Sequence, residues 1–176
     1  SPKNPQHRPD RLHGHGEDQR GRALAEHLRL QFVDTDDLIE TRAGCRITDI
    51  FEQQGEEAFR ALESQVVREL ADQNGLVIST GGGLPTRQEN LDSLKSHALV
   101  VCLWAPAEKI YERVRNQSHR PLLHVPDPLG RIHELLEQRT PFYKQADVML
   151  TTEGRTVREV ALQVATQFQM IRRKRK

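Results

Sequence analysis

Apolar positions recur along the chain with two different patterns, and the switches between them lay out the elements. Ala23, Leu24, Leu28 and Leu30 mark a short helix, followed by Gln31-Phe-Val-Asp-Thr-Asp36, a strand that ends in carboxylates. A long helix is predicted over 56–73, with Phe59, Leu62, Val66, Val67 and Leu70 on one face and Asn74-Gly75 closing it. Leu76-Val-Ile-Ser-Thr80 then runs as a strand into three glycines. Ala98-Leu-Val-Val-Cys-Leu-Trp104 is continuously apolar, as a strand buried on both faces would be. Helical patterns follow over 107–115 and 128–138, then a strand at 148–151 and a helix over 157–170. Strands alternating with helices predict an α/β domain with an open parallel sheet, whose ligands bind at the carboxyl ends of the strands. No internal repeat is evident.

Composition narrows the picture. A length of 176 residues suits one domain with its own core, and 26 basic against 25 acidic residues create no overall field toward nucleic acid or an acidic membrane surface. Cys45 and Cys102 form neither a CxxC pair nor a disulfide framework, which suits a reducing, cytoplasmic setting. No apolar run approaches the roughly 20 residues needed to span a bilayer. Residues 1–20 are rich in Pro, His, Arg and Gly and read as irregular, and 172–176 as a solvated basic tail.

The candidate chemistry sits where such a sheet would place it. Asp34 and Asp36 end one strand, Gly81-Gly-Gly83 follows another, and Arg60, Arg120 and Arg139 supply cations. Taken in order, Asp34-Thr-Asp36, Phe59-Arg60 with Glu63, Gly81-Gly-Gly83, Arg120-Pro-Leu-Leu123, and Arg139 before Tyr143 and Ala146-Asp147 resemble the motifs of the shikimate kinase family. The resemblance runs from about residue 21 to the C-terminus. It implies a three-layer P-loop kinase fold with a five-stranded parallel sheet, a domain over 21–171, and a lid near 116–124. It also implies transfer of the γ-phosphoryl of ATP to the 3-hydroxyl of shikimate with Mg²⁺, by a monomer that binds shikimate and ATP.

On this resemblance each residue has an expected task beside an ordinary structural one. Asp34 stands as the magnesium-side carboxylate acting through water, or as a helix cap. Asp36 binds the acceptor hydroxyls and takes the proton, or caps the helix that begins at Leu38. Arg60 and Arg139 clamp the substrate carboxylate with their planar forks, although Arg60 could pair with Glu56 on its own helix. Gly81, Gly82 and Gly83 bring backbone close to the substrate. Arg120 closes over ATP and stabilises transferred charge, and Arg113 is a weaker candidate for lining the nucleotide site. Two other readings stay open: a shikimate-binding module without catalysis, and a related small-molecule kinase such as a gluconate kinase.

The N-terminus departs from the family. Where a buried strand and G-x-x-x-x-G-K-[ST] belong, residues 8–18 keep only Gly14 and Gly16 as candidate ATP-binding residues, with Glu17 at the lysine position and Asp18 at the hydroxyl position. The first strand is therefore in doubt, since Arg8, Pro9, Asp10 and Arg11 stand where it needs apolar donors. One hypothesis is a one-base shift of reading frame, in the gene or in its sequencing, restored near Gly21. With suitable synonymous codons for residues 6–21, reading from the second base yields Asn-Ile-Val-Leu-Ile-Gly-Phe-Met-Gly-Thr-Gly-Lys-Thr-Asn-Val-Gly, an apolar strand and a complete phosphate loop.

Overall fold

The computed structural model describes residues 16–115 and 125–176. Gly14 and the expected lid with Arg120 lie outside the described residues, as does the expected first strand.

Among the described residues, four short parallel strands alternate with helices. Helix α1 (Gly16–Leu28) leads into β1 (Gln31–Asp34), which is followed by α2 (Thr35–Ala43), α3 (Ile47–Gln54) and α4 (Glu56–Leu70). Strand β2 (Leu76–Ser79) ends at the glycines, after which come a 3-10 turn (Leu84–Thr86) and α5 (Gln88–His97). Strand β3 (Val101–Trp104), α6 (Ala107–Val114), α7 (Pro128–Tyr143), β4 (Val148–Thr151) and α8 (Val157–Lys174) complete the order. The strands form two parallel pairs, β1 with β2 and β3 with β4, and no ladder among the described residues joins one pair to the other. The five-stranded sheet expected from the resemblance is thus represented here by four strands in two halves.

Each half has its own core. Ile39, Ile50, Phe59, Val66 and Leu70 from α2, α3 and α4 pack with Val33, Leu76 and Ile78 of β1 and β2. Leu150 with Val160 and Val164 of α8 packs with Val101, Leu103, Val148 and Leu24 of α1. Helix α1 therefore touches both halves: Leu24 joins the second core, and Gly21 lies so close to the Phe32 ring of β1 that any Cβ there would strike it. Because parallel strands alternate their faces, Trp104 and Met149 project away from the α8 core and remain 45% and 44% exposed. The continuous apolar run at 98–104 is consequently covered less fully than its composition predicts.

Several boundaries follow from local chemistry. Asp34 caps α2, its Oδ1 accepting from the amides of Asp36 at 2.8 Å and Asp37 at 3.4 Å. Gly44 and Gly55 close α2 and α3 at φ of 69° and 85°, conformations open to glycine. Helix α7 runs through Pro141 to Tyr143, five residues beyond the expected 138. Helix α8 extends to Lys174, so the expected basic tail is largely helical, with Arg172, Arg173 and Lys174 complementing its C-terminal dipole.

Candidate functional site

The site is built around the loop Gly81-Gly-Gly83 at the carboxyl end of β2. Each glycine faces a different side chain from a different element. A Cβ on Gly81 would lie 3.7 Å from Oδ1 of Asp36, at the start of α2. One on Gly82 would lie 2.8 Å from Nη1 of Arg139 and 2.9 Å from the Tyr143 hydroxyl, both on α7. One on Gly83 would be driven into the Arg60 guanidinium of α4, 2.7 Å from its central carbon. A side chain at Gly82 or Gly83 would displace the guanidinium that lies against it, so the glycines leave that position to the arginines. Asp36, Arg139 and Arg60, separate in sequence, thus meet on three consecutive residues.

Their surroundings differ. The Arg60 guanidinium donates to Oε1 of Glu63 at 2.6 Å, lies 3.5 Å from Glu56, and sits 5.4 Å from the Phe59 ring centroid, with the Phe51 ring 4.9 Å beyond. Glu63 is 1% exposed, and burial raises its pKa above the ordinary carboxylate range against the opposing pull of Arg60, Arg87 and Arg139. Glu63 thereby fixes one edge of the Arg60 fork from the protein interior. Arg139 is half-buried and makes no hydrogen bond or ion pair with the described residues, although it lies within the field of Glu63. A half-buried guanidinium without an ion pair, beside a second one, is a place for an anion.

Two carboxylates, Asp34 and Asp36, stand at the end of β1 and the start of α2. Asp34 stands at the end of β1 with its Oδ1 engaged in capping, and no group of three or more metal-ligating side chains occurs among the described residues. That donor set is compatible with Mg²⁺, which retains waters and takes only one or two protein carboxylates beside phosphates. Gly16 is the first residue of α1, so Glu17 and Asp18 occupy that helix's first turn. On α6, Arg113 reaches the Thr152 hydroxyl just after β4 at 3.2 Å.

Comparison with known proteins decides the family. The family model for shikimate kinase matches residues 13–169. The chain belongs to the shikimate kinase family. Curated relatives include the shikimate kinase of Thermus thermophilus, 46% identical over 152 residues that cover 86% of this chain and 83% of the relative. The shikimate kinase of Symbiobacterium thermophilum is 44% identical over 161 residues, covering 90% and 92%. Among solved structures, the Acinetobacter baumannii shikimate kinase in complex with shikimate superposes with a TM-score of 0.83 at 36% identity, covering 89% of this chain and 88% of that one. The Aquifex aeolicus shikimate kinase gives 0.78 at 35%, covering 88% and 90%. The family is one of phosphotransferases on the P-loop kinase fold, and the described residues supply four of its parallel strands with their helical layers.

Sequence reasoning singled out Asp34, Asp36, Arg60, the glycines and Arg139, and all of these lie around the β1 and β2 strand ends or the helices facing them. Glu63 and Tyr143 appeared only as motif members, and Phe51 not at all. Their spacing held a signal, since Arg60 with Glu63 and Arg139 with Tyr143 are three and four apart on helices and so share a face.

Proposed function

We propose that the substrate half of this chain binds shikimate and presents its 3-hydroxyl for phosphorylation by Mg²⁺-ATP, and that the nucleotide half as written is impaired. The observation carrying the first part is the convergence of Asp36, Arg139 and Arg60 on Gly81, Gly82 and Gly83. In this reading the two guanidinium forks take the ring carboxylate as charge-assisted hydrogen bonds and fix its orientation. The Asp36 carboxylate accepts from the ring hydroxyls and receives the proton of the attacking one. Arg120 would stabilise the charge of the transferred group, and Asp34 would hold Mg²⁺. When bound, Mg²⁺ would neutralise phosphate charge. The protein acts as a cytoplasmic monomer without nucleic-acid or membrane partners.

Impairment is supported by sequence and by burial. By sequence, Glu17 and Asp18 stand where the family's loop has Lys and Ser or Thr, and two acids there repel a phosphate. Arg20 of α1 is only 7% exposed, a charged residue in a core-facing position. The shifted reading frame places valine there. A compensated frameshift across residues 6–21 therefore explains both the two acids and the buried arginine. Repeat nucleotide reads with an uninterrupted frame and no paired indels would remove that explanation.

The test of the acceptor uses the chain with residues 6–21 replaced by the shifted-frame sequence. Expected is ATP-dependent phosphorylation of shikimate at the 3-hydroxyl, located by phosphorus NMR, with gluconate inert. Preference for gluconate would overturn the substrate assignment.

A further inference from the structure

Helix α7 carries two residues of the glycine loop's surroundings on one face, a turn apart: Arg139 and Tyr143. The phenol hydroxyl of Tyr143 donates to the Gly82 carbonyl at 2.8 Å, a contact between residues 61 positions apart. Three successive glycines have wide conformational freedom, so one hydrogen bond at the middle residue removes much of it.

The end of α7 is held for this purpose from outside. Pro141 lacks an amide hydrogen, so the helix forfeits one backbone bond just before Tyr143. In compensation, Gln145 forms a reciprocal amide pair with Gln88 of α5 at 2.7 and 3.0 Å and donates to the Pro141 carbonyl at 3.1 Å. Lys95 of α5 donates to the Gln145 carbonyl at 2.6 Å. Helix α5 follows the glycine loop in the chain, so both ends of the Tyr143 to Gly82 link are anchored to one element.

We infer that Tyr143 is a positioning residue: by holding the Gly82 carbonyl it sets the spacing of the glycine loop against Arg139 and Arg60, and so the grip on the substrate carboxylate. This rests on the proposed shikimate reading. Tyr143 touches no reacting atom; it acts through Gly82.

The experiment is calorimetric titration of the full chain and its Tyr143→Phe and Arg139→Ala variants with shikimate, together with amide NMR of Gly82 and Gly83. Tyr143→Phe is expected to weaken shikimate binding roughly tenfold, the scale of one hydrogen bond, with an unchanged melting temperature and shifted Gly82 and Gly83 resonances. Binding by Tyr143→Phe equal to that of the unaltered chain, while Arg139→Ala loses it, would overturn the positioning role and leave the shikimate reading intact. Equal binding by Arg139→Ala, or none by the unaltered chain, would overturn both. Should Tyr143→Phe melt early, the unaltered chain decides: a nuclear Overhauser contact between the Tyr143 ring and Gly82 is expected, and its absence would refute the link.

Discussion

The two ends of the expected reaction are built to different standards in this chain. Around the glycine loop, α2, α4 and α7 each deliver a polar side chain to a neighbouring residue, and a buried acid, Glu63, braces one of them. At the other end, helix α1 is present and buries Arg20, while the sequence carries Glu17 and Asp18 where the family's loop has Lys and Ser or Thr. The contrast teaches that helix formation and phosphate binding make separable demands. Acidic residues satisfy a helix dipole as well as a phosphate does, so on the proposed reading the element survives while its ligand site does not.

The sharpest way to break the comparison is to make the two ends equal. Replacing residues 6–21 by the shifted-frame sequence is expected to raise shikimate-dependent ADP release from background to a kinase range of about 1–100 per second. Glu17→Lys with Asp18→Thr alone should fall far short, because the strand positions 8–11 remain charged or lack an amide hydrogen. A coupled ADP assay measures both, and ordinary turnover by the chain as written would contradict the account.

Next in size, Arg60→Ala should weaken shikimate binding by about a hundredfold, the scale of losing one partner of a charged contact and leaving Glu63 unbraced. Calorimetry reads this directly.

The smallest effect concerns pH. Burial raises the folded pKa of Glu63, so the folded chain binds that proton more readily than the unfolded one. Its contribution to stability is therefore fully present below the ordinary carboxylate pKa and is lost as pH rises through the raised value. Relative to Glu63→Gln, the unaltered chain should look more stable at about pH 4 than at pH 7, as measured by urea unfolding. The opposite slope would mean that Arg60 outweighs burial.

The elements at the substrate end were legible because their signals are local: a strand ending in carboxylates, a glycine run after an apolar strand and arginines on amphipathic helices follow from spacing, whereas the tasks given to those residues came from the family resemblance. What escaped was what only packing decides. Of the two tasks expected of Asp34, capping α2 is visible, through one oxygen, and needed packing to decide it. Helix α7 passed through Pro141 because side-chain bonds from Gln145 and Lys95 secure its end. The run at 98–104 looked buried on both faces, yet Trp104 projects from the face away from α8. The burial of Arg20 could not be read from a segment whose residues are otherwise polar.

One titration tests the central claim most directly: the chain as written against shikimate and, separately, against ATP with Mg²⁺. A saturable heat with shikimate and none with the nucleotide is the predicted result. Nucleotide binding without shikimate binding would contradict it.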